Sequence, residues 1–379
     1  MLNIRKRFIN NYYGKYIRHK DSPLFRYLKK SLSYCNQKRL EVKHSIAQVY
    51  PSIINADVDL VTVALTSQCN LRCDGCSYGR EFMPKEHISL EVVKEILDSM
   101  KKMDIPYIVL YGGEPIMINS SDLIKMVEYA TKLGIRSVLG TNGVMLTPEL
   151  MDKLYHAGLG RIRISIYGLN EDYNKYVNKN NVFSQIEKHI TYIKQNYPDI
   201  MLTLNWLLMK PTCNLESVKE ISEFAKKYST PFTVNLVHYN FPYFTNGEDE
   251  ALQLYEKDLP QIKIVKEELI RLKREFPKLI NASLTALNAL DDWLIKKDEI
   301  NIPCYRYDNI WIGANGETRI CQKSAILGNI NEKKLDEILY TKEHTQSTRD
   351  CFALKCTGCH VSYGKRTLLT PKSRKQYAI

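Results

Sequence analysis

A chain of 379 residues with 44% hydrophobic and 25% charged side chains can bury a sizeable core, and nowhere keeps the run of about 18 apolar residues that a bilayer span needs. Disordered, fibrous and transmembrane classes are excluded, and the length predicts one large α/β domain with attachments. The net charge of +12 sits at the ends. Residues 1–45 hold 12 basic residues against Asp21 and Glu41, the tail from Gly364 holds five basic residues and no acid, and the rest is net −3. A mildly acidic body argues against a nucleic-acid groove, and the basic ends argue for an arm that meets an anionic surface. The start lacks the apolar core and cleavage site of a secretory signal, so a cytoplasmic location is expected, with the membrane surface as a peripheral alternative.

In chain order, apolar residues recur at helical spacing between basic ones through residue 20, and Ser22-Pro23 starts a second amphipathic basic helix to about Tyr34. A hairpin packed on the body, an interfacial helix on anionic lipid and a dock for an acidic peptide or protein are the three readings of this arm. From Leu60 onward β-rich runs alternate with helical periodicity about every 30 residues, the spacing of βα units. The strands are expected at 60–66, 107–111, 135–140, 161–167, 201–209 and 232–239, as a parallel sheet covered by helices. Ser89, Ser121 and Pro148 mark helix starts and Gly134 a stop. Six such units predict an α/β fold, a partial (βα)6 barrel with its chemistry on the loops at the strands' C-terminal ends. Two helices follow over 251–298, and residues 300–363 turn cysteine-rich. The expected division is a helical extension 1–59, the barrel 60–245, a helical connector 246–299, a small cysteine-rich domain 300–363 and a basic tail 364–379.

Ten cysteines are many for a reducing compartment, and most are clustered, which favours metal or redox chemistry over disulfides. Directly after the first strand comes Cys69-x3-Cys73-x2-Cys76. Three thiolates on one short loop can bind three irons of a [4Fe-4S] cube and leave the fourth iron open to an outside ligand. A zinc knuckle completed by His87 is the alternative, which this spacing does not favour. Together with YGGEP at 111–115, the segment resembles the radical S-adenosylmethionine superfamily over roughly residues 60–240. The resemblance implies that Cys69, Cys73 and Cys76 hold a cluster that chelates S-adenosylmethionine and cleaves it to methionine and a 5′-deoxyadenosyl radical. It places the family's methionine-binding motif on Gly112, Gly113, Glu114 and Pro115, and polar adenosyl contacts near Ser165 and Asn205, with Thr141 and Asn142 close by. The family usually has an aromatic residue where this chain has Gly75, so Tyr78 becomes the candidate for adenine packing, or an ordinary structural tyrosine.

Further on, Cys304 and Cys321 flank NIWIGANGETRI, which reads as a hairpin around a two-residue Asn315-Gly316 turn that brings the cysteines together. Cys351-x4-Cys356-x2-Cys359 follows. The arrangement resembles the SPASM/twitch auxiliary domain, which implies an auxiliary [4Fe-4S] cluster. The assigned ligands are Cys304, Cys321, Cys356 and Cys359, with Cys351 in reserve; a zinc ribbon is the alternative. Cys213, beyond the fifth strand, is a candidate hydrogen-atom donor or a small buried residue. Cys35 has the weaker claim to that role, and HYNFPYF at 238–244 lines a pocket or simply packs.

These readings combine into a radical S-adenosylmethionine oxidoreductase or maturase that abstracts hydrogen from a substrate C–H bond and takes its electron from a donor such as flavodoxin or ferredoxin. By resemblance the first substrate class is a peptide or protein residue. A sugar or aminocyclitol is next, and a lipid-linked substrate at the membrane third. The rival from another class is a non-enzymatic zinc protein.

Overall fold

The computed structural model describes residues 23–239, 251–356, 359–361 and 363–379. Six parallel strands, β1 (Leu60–Ala64), β2 (Tyr107–Tyr111), β3 (Arg136–Thr141), β4 (Arg161–Ile166), β5 (Met201–Leu208) and β6 (Phe232–Leu236), pair in sequence order. Helices lie between successive strands, giving the α/β partial barrel that the spacing predicts. Alternation along β4 explains which face is which. Ile162, Ile164 and Ile166 are fully buried towards the helices, whereas Arg161, Arg163 and Ser165 point the other way and are half-buried. Leu204, Trp206 and Leu208 of β5 extend the same apolar layer.

Local signals act largely as expected. Ser89 caps helix Leu90–Lys102 by accepting from Val92 N, and Thr147-Pro148 opens helix Pro148–His156. The helix expected after Ser121 instead starts two residues earlier, at Ser120, capped by Asn119, whose side-chain oxygen accepts from Ser121 N at 2.9 Å. The two expected helices over 251–298 are three: Leu259–Glu275, Leu284–Asn288 and Leu290–Lys296, the last pair divided at Ala289.

The cysteine-rich segment continues the main sheet. Strand β7 (Asn309–Ile312) runs parallel to β1 on the side opposite β2, and β8 (Glu317–Arg319) and β9 (Ile326–Asn329) add antiparallel strands beyond it. The hairpin loop is longer than the expected two-residue turn. Gly313 N donates to Glu317 O and Gly316 N to Gly313 O, both at 2.9 Å, leaving Ala314, Asn315 and Gly316 as the loop. Gly316 has φ +85°, the left-handed position that closes a three-residue hairpin loop and favours glycine.

The N-terminal basic helix runs from Pro23 to Ala47, well past Tyr34. Its last turns are tied to the C-terminal segment: Glu41 pairs with Arg374, and His44 Nε2 meets Tyr307 OH at 2.5 Å. Ala47 packs with Ile54, Tyr307, Phe352 and Leu369 in a small core of its own. The apolar stripe of residues 1–20, on which the interfacial reading rests, lies outside the described residues. Among those described, no helix is long and apolar enough to cross a membrane.

Candidate active site

The three-cysteine loop leaves β1 at the C-terminal edge of the sheet and is fastened from two sides. Gly113 N donates to Thr66 O at 2.7 Å and Glu114 N to Gln68 O at 2.8 Å, so the end of β2 grips the backbone just ahead of Cys69. A Cβ on Gly112 would stand 2.5 Å from Thr66 O, and one on Gly113 2.1 Å from Gln68 O. The glycines are required by this close approach. On the far side, Arg72 N and Asp74 N donate to Val177 O and Tyr176 O at the end of helix Asn170–Tyr176. Arg72 and Arg80 complete the clamp, their guanidinium groups donating to the carbonyls of Cys69, Leu71, Cys73 and Cys76.

Glu114 is fully buried. Its carboxylate accepts from Thr141 Oγ1 at 2.7 Å, Asn142 N at 2.8 Å and Ile116 N at 3.2 Å. Burial pushes its carboxyl up to about 7, against the three hydrogen bonds that pull it down. These three donors fix the carboxylate in place at the end of β2. Pro115 follows it into a buried turn. Asn142 carries the linkage back to the loop, donating to Asn70 Oδ1 at 2.8 Å and approaching Cys69 Sγ at 3.9 Å.

Cys69, Cys73 and Cys76 lie within electrostatic reach of one another. Burial pushes the Cys69 thiol up to about 11 and raises the other two, and the neighbouring thiols raise Cys73 further, while Arg72 and Arg80 pull Cys69 and Cys76 the other way. Backbone groups of Leu71 and Tyr78 hydrogen-bond to the sulfurs of Cys69 and Cys76. Around this loop, among the described residues, no three His, Cys, Asp or Glu side chains are gathered round a single-ion position. A tetrahedral zinc would need its sulfurs about 3.8 Å apart. A cube spreads its thiolates wider, because each bonds a different iron, and a buried loop of three thiols under two guanidinium groups fits that group. Binding it would release the thiol protons.

Three tyrosines that the sequence reading did not single out enclose the loop. Tyr167 stacks near Tyr173 and Tyr176, with ring centroids 5.8 and 4.5 Å away, and all three are close enough to feel the charge of Cys73. Ser165 hydrogen-bonds to Tyr167 and lies in register with Asn205 on β5, whose Oδ1 accepts from Thr233 at 2.9 Å. Gly75 has φ +70°, which explains the absence of an aromatic side chain there. Tyr78, the candidate for adenine packing, is hydrogen-bonded to Tyr111. Cys213 is not brought to this site: it is buried in the apolar core with Asp258 as its charged neighbour. Cys35 is exposed on the N-terminal helix, and Asn240–Phe244 lie outside the described residues.

The five C-terminal cysteines also converge. Cys351 sits between Cys321 and Cys356 and hydrogen-bonds to both, which lowers those two thiols and raises its own. Cys304 and Cys359 are within charge range of Cys321, and Arg366 donates to Cys359 O at 3.1 Å. Tyr111 joins the two cysteine regions. Its hydroxyl meets Trp311 Nε1 and accepts from Gln322 Nε2 at 3.0 Å while bonding to Tyr78 on the other side.

Against known proteins, residues 63–225 match the family model for the Radical SAM superfamily. The chain carries a radical SAM domain over those residues. It is 27% identical over 334 residues to an AdoMet-dependent heme synthase of Methanosarcina barkeri, covering 80% of this chain and 91% of that one. Solved radical SAM structures share its fold: SuiB of Streptococcus suis bound to its precursor peptide SuiA has a TM-score of 0.61 at 16% identity, over 81% of this chain and 70% of that one. The anSMEcpe structure with AdoMet and a peptide has a TM-score of 0.60 at 17% identity, over 84% and 96%. A radical SAM enzyme binds a [4Fe-4S] cluster and S-adenosylmethionine, and the three-thiol loop has the donor set for the cluster.

Proposed function

We propose that Cys69, Cys73 and Cys76 bind the superfamily's cluster and that the enzyme abstracts hydrogen from a C–H bond of a substrate seated in the barrel. When bound, the cluster supplies the electron, delivered by a flavodoxin or ferredoxin, that cleaves S-adenosylmethionine to the hydrogen-abstracting radical. The observation that carries this reading is the double lock on the cysteine loop, by Gly112-Gly113 on one side and residues 176–177 on the other. The protein's own residues hold three thiols at the edge of the sheet, enclose them with Tyr167, Tyr173 and Tyr176, and present Ser165 and Asn205 beside them as adenosyl contacts. Fixing reactants in place supplies much of the rate in such chemistry. SuiB and anSMEcpe, seen with peptides, support a peptide substrate. A small molecule is the second reading, favoured by a barrel cavity of about 830 Å³. Anaerobically reconstituted protein is expected to hold about eight irons and negligible zinc. With a strong reductant it should form 5′-deoxyadenosine, which gains deuterium from a labelled substrate; zinc in place of iron would overturn the reading.

In the C-terminal region the proposal is a SPASM/twitch-like domain with an auxiliary [4Fe-4S] cluster on Cys304, Cys321, Cys356 and Cys359. Cys351, which touches two of them, is the reserve ligand. Cys351→Ala is expected to keep its iron, whereas Cys356→Ala loses about four irons, since a cube takes four protein thiolates when it has no open site. Iron analysis showing the opposite pattern would exchange the two roles.

A further inference from the structure

The barrel cavity carries a charge imbalance that the superfamily chemistry does not account for. Arg161, Arg163, Lys273, Arg306 and Lys365 line it, and among the described lining residues there is no Asp or Glu. Two of the five cations are already engaged: Lys365 pairs with Asp308 at 3.5 Å, and Lys273 donates to Pro277 O and Ile280 O at 2.5 and 2.7 Å. The side chains of the three arginines make no ion pair or hydrogen bond with any described residue, and the buried Arg306 Nε has no partner. They repel one another, and burial together with the charges of Arg161 and Arg306 lowers the pKa of Arg163. His238 and His360 beside them are held neutral by burial. In a body that is net −3 from residue 46 to 363, the described lining of this cavity thus gathers positive charge, with Arg306 also within charge range of Cys321.

Burying guanidinium groups without partners is costly, and a planar guanidinium fork matches a carboxylate or phosphate in a two-point contact. We propose that this cavity binds a small organic anion with at least two carboxylate or phosphate groups, held by Arg161, Arg163 and Arg306, as the substrate of the radical reaction. The inference rests on the radical SAM reading for its reaction and on the cavity alone for its chemistry. Arg161 and Arg163 lie four and two residues before Ser165 on the same strand face, about 13 and 7 Å deeper in the barrel by the strand rise. An anion anchored there directs the rest of its carbon skeleton towards the cysteine loop. Asn205, which also lines the cavity, lies between the two regions.

The test uses the full reconstituted chain and two probes, pyrophosphate and tricarballylate, titrated calorimetrically. At least one is expected to bind with one-to-one stoichiometry, more weakly at high salt, and the better of the two tells phosphate from carboxylate. Arg163→Met and Arg306→Met should each weaken that binding at least tenfold. Their thermal midpoints should hold or rise, because each removes one of three repelling cations; Arg271→Met, on an exposed helix face, should change nothing. The proposal is overturned if neither probe binds, if both variants bind as the wild type does, or if both variants melt lower than the wild type. Arginine-dependent binding of hexaglutamate without either small probe would replace the small molecule by an acidic peptide. Reductive cleavage of S-adenosylmethionine, measured in parallel without substrate, separates the two claims: anion binding with no cleavage sinks the radical reading and leaves this one standing.

Discussion

Replacing Cys69, Cys73 and Cys76 together by Ala is expected to remove about four irons per chain and to bring reductive cleavage of S-adenosylmethionine down to background. The iron held by the C-terminal cysteines should remain, because those thiols sit on other segments, around Cys304, β8 and helix Lys342–Phe352. The fold should survive as well. Arg72, Arg80, Gly113 and Glu114 fasten the loop through its backbone, and none of those bonds uses a thiol. Far-ultraviolet circular dichroism, iron content and 5′-deoxyadenosine formation separate the outcomes. Wild-type cleavage by the triple variant would remove these residues from the chemistry, and global unfolding would show that the loop needs its metal to fold.

How far the sequence foretells this site depends on whether a signal is local. The strand rhythm from Leu60 and the spacing Cys69-x3-Cys73-x2-Cys76 are short-range patterns, and the structure puts the loop at the strand edge that they indicate. The pairing of β7 with β1 joins residues about 250 positions apart, and nothing in either strand names its neighbour. Glu114 illustrates a subtler limit. Its motif is visible, but its partners are Thr141, the last residue of β3, and Asn142 just beyond it, and only packing shows that they hold the carboxylate. Tyr167, Tyr173 and Tyr176 were legible only as generic aromatics, since a core and a ligand enclosure draw on the same residue types. Arg161 and Arg163 did leave a signal. In RIRISI every second residue is polar, which marks a strand with one open face, whereas the segment is easily taken for one more covered strand.

The sharpest consequence of the double lock concerns a single hydrogen atom. Gly113 does not need a left-handed backbone; it needs space, because the Cβ of an alanine would sit 2.1 Å from Gln68 O and 2.6 Å from Gln68 C, both backbone atoms that no rotamer change can move. Relief requires the strand end and the loop to separate, which lengthens the bonds from Gly113 N to Thr66 O and from Glu114 N to Gln68 O. Forced overpacking of this kind costs about 1–3 kcal/mol, too little to unfold a chain of this size. Yet the displaced backbone leads directly into Cys69, and an error of about 1 Å in a reacting group can cost a factor of about 100 in rate. Gly113→Ala is therefore expected to stay folded while its reductive cleavage of S-adenosylmethionine falls about a hundredfold, with loss of iron from the first cluster. Gly160→Ala is the matched control, since a Cβ there meets nothing within 4 Å, and it should keep iron content and cleavage within twofold of wild type. Equal activity in the two variants would show that the loop tolerates displacement and that the glycine lock does not set the position of Cys69.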